Sequence, residues 1–533
     1  MDQQTRRHSG MSVKTIALVA LCAVIATSAG AFPAGTRADT SKLATGRWVK
    51  IKVSGNGMYQ ITASEAKKWG LGDLSKVHVF GFGGGAMSEQ LTSDIPDDLP
   101  QVPVVRTGSK LLFYGQGNIK WKAQSGAVNY VQEQNPYATA GYYFVTDDSR
   151  YSDVAIATSS ASLGSGKVIN TVTGREFHEE ELVNPGETGR QLLGEDFRYT
   201  TTQPFKFTLD GLTDGGTVNV LTNFAAKTYA TGNVTTGATV TAQYNGTRAT
   251  NSLNINTVTD VAHEHYKYGT FVNSFTLSGT TSLTYTLSFS PIYTLYMARL
   301  NYITVNYQRN LALSGGTIGW GQYSGDVSDQ FQLSGGNAGT HVWDVTVSHQ
   351  PIEMNTSLSG STVTFSPAQS GNREYVAFDQ DATFPTPSMV GTVKNQNIHG
   401  EATPDMIIIS PSAYLAQARR VAALHESVDS MRVLVVDQND VFNEFSSGTP
   451  DAMAYRMLAK CFYDRGTDSQ GHKLGYLLLF GGGSYDNRQL TNSVQAISYP
   501  MLLTWQTELS DNETASFTSD DPFAILADNS GSP

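Results

Sequence analysis

Few side chains of this chain have the type and setting for covalent chemistry. Its two cysteines are Cys22 and Cys461. Cys22 lies in an apolar run that reads as a leader, so Cys461 is the only thiol of the processed chain and no intrachain disulfide can form. A lone thiol invites a nucleophile. However, Ala454, Met457, Leu458, Cys461 and Phe462 share one face at helical spacing. A buried thiol acts as a small hydrophobe with a raised pKa, whereas a reactive thiolate needs a polar, electropositive setting. Cys461 is therefore expected to be structural. Among carboxylates, Asp486 follows a strand that breaks into glycines, in the stretch YLLLFGGGSYDNR from Tyr476 to Arg488. Asp520 and Asp521 form an adjacent pair that could order a loop, and calcium is the cation such a pair suits. All three could shape a site. The plainer expectation is an Asx turn at Asp486 and a helix start or solvated pair at Asp520 and Asp521. His263 and His265, expected on one face of a strand, make half a tetrahedral zinc site, and spacing identifies no third ligand. A solvated strand face is expected there.

Composition narrows the classes. Charged residues are 16% of the 533, whereas Gly (51) and Tyr (25) are abundant. An average soluble protein carries about 25% charge. This balance suits exported β-structure, with Thr and Tyr on half-exposed faces and Gly in turns. A net charge of −11 argues against a phosphate-binding surface, so nucleic acid is excluded as a partner. At the N-terminus, Arg6, Arg7 and Lys14 precede an apolar run from Ile16 to Ala29, and Ala29-Gly30-Ala31 offers small residues for cleavage before Phe32. Residues 1–31 read as an export signal, and the run is short for a spanning helix. Leu21 before Cys22 is too large for the usual lipoprotein cleavage pattern.

The elements that position these residues fall into three parts. From 44 to 180 the chain reads as a β-rich domain, with Trp48 to Val53, Val77 to Phe80, Leu111 to Tyr114 and Gly141 to Thr146 as strands and one short helix opened by Thr62. The cluster Gly81-Phe82-Gly83-Gly84-Gly85 is no dinucleotide motif, because no helical pattern follows it. From 181 to 395 period-two alternation dominates. Phe205, Phe207 and Leu209 are followed by Leu283, Tyr285, Leu287 and Phe289, predicting an antiparallel sandwich. At Asp405 the pattern changes. Met406 to Ile409, Arg432 to Val436 and Tyr476 to Phe480 are apolar strands separated by a helix after Ser410-Pro411 and a helix from Pro450 to Asp464. Such repetition means βαβ units and a parallel sheet over 404–533, with Asp486 at the carboxyl end where open α/β sheets place ligands. After it, Ser510 to Pro533 reads as a polar tail, leaving a sheet edge with apolar faces and no evident cover. The chain is expected to be the N-terminal portion of a larger protein.

Four further stretches stand out: NQNIHG at 395–400, DMIIISP at 405–411, VFNEFSSGTPD at 441–451 and LLLFGGGSYDNR ending at Arg488. They resemble the gingipain-type cysteine peptidase family, and within it the surface sortases of the type IX secretion system. GRWVKIKVSGNGMYQIT at 46–62 and VWDVT at 342–346 resemble the sortases' N-terminal region. The resemblance implies a caspase-like α/β peptidase subdomain, incomplete here. It also implies a protein that removes C-terminal sorting domains from secreted cargo and joins the cargo to a surface glycolipid. Its partners would be that cargo and an outer-membrane component of the secretion system, and its location the cell surface. The family's catalytic pair is a histidine in a Gly-His-Gly type loop and a cysteine ending a later strand. No residue of this sequence matches either, and both are expected beyond Pro533, so this chain alone is expected to be inactive. The family usually carries an acidic residue at or beside Gly482, and none stands there. The competing expectation is a secreted, non-catalytic surface-binding β-protein with a degenerate peptidase-like module.

Overall fold

The structure, a computed structural model, describes residues 37–91, 95–230 and 235–527. The leader expected at 1–31, with Cys22, lies outside them. In the first β-rich body, Trp48–Val53 is flanked antiparallel by Gly141–Thr146 and by Ser388–Val393, a strand arriving from far along the chain. A second sheet joins Gly57–Thr62, Lys110–Gly115 and Val105–Arg106. Period two turns Val49, Ile51 and Val53 inward onto Tyr59, Ile61, Phe113 and Tyr143. The helix Ala63–Lys68 begins where the Thr62 hydroxyl accepts from the Glu65 N–H at 3.3 Å, as an N-cap should.

The central body is a sandwich. A nine-stranded sheet runs from Lys267–Leu277 through Gly216–Tyr229, Thr294–Asn310, Thr171–His178, Thr317–Gly325 and Gly371–Asp379 to Thr340–Asp344 and two short strands. One half is covered by a five-stranded sheet containing Thr202–Thr208, Ser282–Pro291 and Thr236–Tyr244. Leu283, Tyr285, Leu287 and Phe289 are all buried there against Val218, Val220 and Phe224, while the Thr and Ser between them face outward. Trp320, Phe331, Phe365 and Tyr375 form a separate core under the other half.

The third body is α/β. Met406–Ser410 lies between Val433–Asp437 and Tyr476–Leu479, all parallel. Its five residues are all buried, which a continuous apolar run requires when both faces are covered. Leu415–Val428 covers one face and Met453–Arg465 the other. Two expectations need correction. A further helix, Gln438–Phe445, follows the strand Val433–Asp437 directly, because Asp437 serves both as the last strand residue and as the cap, accepting from Asn439 N–H at 2.9 Å. The polar stretch from Ser510 is also no loose tail. Thr518–Ser519 pairs with Trp505–Gln506, and Gln506, Ser510 and Ser516 are buried. Its polarity serves hydrogen bonds to the sandwich, including Ser510 Oγ to Gln191 O at 2.9 Å and His265 N to Asp511 O at 2.7 Å.

Candidate functional site

The carboxyl ends of the three parallel strands converge on one loop system. Ser412, just past the central strand, hydrogen-bonds Asp437 at the end of its neighbour. The third strand continues into Gly481, Gly482 and Gly483, beside which the chain returns as Met501 to Thr504, with Leu502 N donating to Gly482 O at 2.9 Å. A Cβ on Gly483 would meet Thr504 Cγ2 at 2.2 Å, so this close approach requires glycine. Beyond the turn, Ser484 Oγ accepts from Asp486 N at 3.0 Å, and Asp486 Oδ2 accepts from Thr491 N at 2.6 Å. Asp486 thus closes a five-residue loop, a longer reach than an Asx turn. The residue is 1% exposed, and its Oδ1 has no hydrogen-bond partner among the described residues. It lines a cleft of about 280 Å³ with Tyr137 and Tyr142 of the first body and Gln438 and Asn439 at the start of the adjacent helix. A buried carboxylate with an open oxygen is an acceptor poised for an N–H or O–H group, since leaving it unmatched costs free energy.

The other sequence candidates lie elsewhere. Asp520 and Asp521 are exposed and do not line this cleft; Asp521 begins the short helix Asp521–Ala524. No cluster of three or more His, Cys, Asp or Glu suited to a metal exists among the described residues, so no third carboxylate joins the pair there. His263 is in a turn, not on the strand expected from the sequence. Asp260 accepts from the N–H groups of Ala262 and His263 and holds the His263 ring at 2.8 Å, curling the chain before the strand begins at Lys267. Cys461 is fully buried in the α/β core, and burial pushes its thiol up to about 12. The space at Gly482 is open: a Cβ there would meet only Tyr499 Cε2, at 3.7 Å.

Sequence reasoning missed the most connected polar group of this body. Glu444, fully buried, accepts from the N–H groups of Ile398 at 2.8 Å and His399 at 3.1 Å, from Gln396 Nε2 at 3.0 Å and from His399 Nδ1 at 2.6 Å. The other ring nitrogen of His399 meets a carbonyl, Asp97 O, at 3.0 Å. Both nitrogens face acceptors, an arrangement that suits the doubly protonated, charged ring. Burial pulls its pKa down, but the Glu444 carboxylate, helped by Asp98 and Asp97, outweighs burial and the net shift is upward. His399 therefore cannot serve as a base. The residues after Glu444 grip the first body. Ser447 Oγ accepts from Phe82 N at 2.9 Å and Gly83 N at 3.3 Å and donates to Tyr142 O at 2.9 Å; Thr449 Oγ1 donates to Gly83 O at 2.9 Å; Asp451 Oδ2 accepts from Met87 N at 2.9 Å. The glycine cluster at 81–85 is the socket for this loop, since a Cβ on Gly81 would lie 2.4 Å from Ser447 Oγ. A charged residue within the apolar run VFNEF was the available signal.

The described residues thus supply an acceptor, a shaped cleft and a hydrogen-bonded seam. Comparison with known proteins supplies the context. Residues 399–533 match peptidase family C25. The chain is similar to the dimeric latent PorU of Porphyromonas gingivalis, with 31% identity and a TM-score of 0.82 over 93% of this chain. It spans 47% of that protein's chain. The VP2 subviral particle of infectious bursal disease virus is 9% identical over 74% of this chain and 91% of its own, and its TM-score of 0.15 carries no argument. No curated protein matches by sequence.

Proposed function

We propose, from a C25 peptidase segment at 399–533 carried on a PorU-like body, that this chain is the N-terminal part of a surface sortase of the type IX secretion system. The observation that carries the reading is the likeness to PorU over both β-rich bodies as well as the α/β body, which a bare peptidase segment would not require. In this reading the complete protein is a cysteine peptidase. It cleaves C-terminal sorting domains from exported cargo and passes the acyl group to an amine on a surface glycolipid. A thiolate attacks the scissile carbonyl, a neighbouring imidazole takes the thiol proton and returns it to the leaving amine, and an amine in place of water resolves the acyl-enzyme. The present residues contribute the floor and one wall of that site, with Asp486 beside the strand ends. Cys461 is not the nucleophile, because its thiol is inaccessible and stays protonated at neutral pH. No helix among the described residues is long and apolar enough to cross a membrane.

The test is to incubate the complete protein with a cargo protein carrying a C-terminal sorting domain and to follow the cargo by mass spectrometry. Release of the domain, abolished by thiol alkylation but not by Cys461→Ser, supports the reading. Cargo binding without cleavage would favour the non-catalytic, surface-binding alternative.

A further inference from the structure

The strands Ile119–Ala123 and Tyr130–Gln134 form a sheet of only two strands, standing between the first body and the sandwich. Their flanking bonds, Gln124 N to Asn129 O and Asn135 N to Asn118 O, both 2.8 Å, fix which residues bond inward. In that register Tyr130, Gln132 and Gln134 turn their backbone N–H and C=O groups to the outer edge. At Tyr130 the edge is already occupied by an amide: Asn306 of the sandwich accepts from Tyr130 N at 2.9 Å and donates to Tyr130 O at 3.0 Å, as one residue of an added strand would. Past Thr304, whose hydroxyl donates to Gln132 Oε1, a cleft separates the two bodies. Residues 131–134 border a cleft of about 830 Å³ whose opposite wall includes Asn301 and Tyr302 of the sandwich. Gln132 keeps its side chain tied to Glu179 at 3.0 Å and Thr304 at 2.6 Å, which leaves its backbone as the group to be matched. Tyr137 and Arg488 line both this cleft and the smaller one at Asp486, so the two adjoin across these side chains.

We propose that the outer edge at Gln132 and Gln134 binds an extended polypeptide segment as a third strand, leading it along the interbody cleft toward the Asp486 cleft. The proposal rests on the peptidase reading for its direction, and on the unpaired edge and the adjacency of the clefts for its existence. Main-chain pairing of this kind gives affinity without demanding a particular sequence, and the edge belongs to the first body, outside the C25 segment.

The edge is tested on this chain with fluorescein-labelled β-casein, an unfolded polypeptide, followed by anisotropy. Saturable binding is expected. Gln134→Pro removes the outward N–H, which proline tolerates on a strand edge, together with a side chain that bonds Glu179, and should weaken binding about tenfold, the worth of roughly one backbone hydrogen bond. Gln134→Ala keeps that N–H and should bind within about twofold of the parent. Equal binding by the proline variant, equal loss in the alanine variant, or no saturable binding overturns the proposal. Hydrogen exchange at residues 130–135 of the unaltered chain gives a second reading independent of any variant: casein should slow it, and unchanged exchange also overturns the edge. The complete unaltered protein should hydrolyse a short chromogenic amide and also bind casein. Hydrolysis without saturable casein binding overturns the edge alone, and casein binding without hydrolysis overturns the peptidase reading alone.

Discussion

At Asp486 one carboxylate oxygen holds Thr491 N–H and the other has no partner among the described residues, an arrangement that costs free energy and suits a further donor. Asp486→Ala in the complete protein should lower turnover with the thermal midpoint nearly unchanged, since the loss of one loop bond is offset by removal of a buried charge; unchanged kinetics would remove Asp486 from the site. Cys461 behaves oppositely. Cys461→Ser should cost about 1–3 kcal/mol of stability, because a hydroxyl replaces a thiol among apolar side chains without a new partner. Peptidase activity of the complete protein should persist wherever the variant remains folded, and complete loss in a folded variant would make Cys461 a reacting group. The sequence marked both residues through their neighbours, glycines before Asp486 and a helical apolar face around Cys461. It marked Glu444 only as a charge within an apolar run and could not pair it with His399, 45 positions away, because that pairing depends on a helix that begins on the last strand residue.

That helix, Gln438–Phe445, sets the energetics of the α/β body. Glu444→Gln would leave the buried imidazolium of His399 without its counter-charge and should cost about 3–5 kcal/mol in urea unfolding. The pair also ties stability to pH. Its imidazole pKa is raised in the folded state, so the stabilisation is complete below the unfolded value of about 6.5 and is lost as pH rises through the folded value. Urea midpoints of the parent should therefore fall with pH above about 6.5 in a component that His399→Gln lacks. The parallel sheet and the alternating strands of the sandwich were legible from apolar periodicity, because burial on two faces or on one writes a different pattern. Hydrogen-bonded loops write none. The stretch from Ser510 looked like a solvated tail because serine and asparagine satisfy buried backbone as readily as they face water.

On the scale of the whole molecule, the seam at Ser447 to Asp451 joins the first and third bodies through donors and acceptors that are individually modest and collectively exacting. Gly448 is the narrowest point, at φ +73°, where a Cβ would lie 2.7 Å from Lys50 Cε and 2.8 Å from Phe144 Cζ. Gly448→Ala should cost about 1–3 kcal/mol by backbone strain and contact, and should split one calorimetric unfolding transition into two as the bodies uncouple. A single undivided transition in that variant would show that the seam does not couple them. The strand Ser388–Val393 carries a different consequence. It pairs with Trp48–Val53 in a register that sets Trp48 opposite Val393, although the entire sandwich lies between them in sequence. Synthesis proceeds from the N-terminus, so the first domain to emerge cannot close its sheet until the whole sandwich has followed it. The sandwich folds as an insertion inside an unfinished neighbour, and until residue 393 arrives Trp48–Val53 keeps a bare edge, the interval in which such a chain most needs a chaperone.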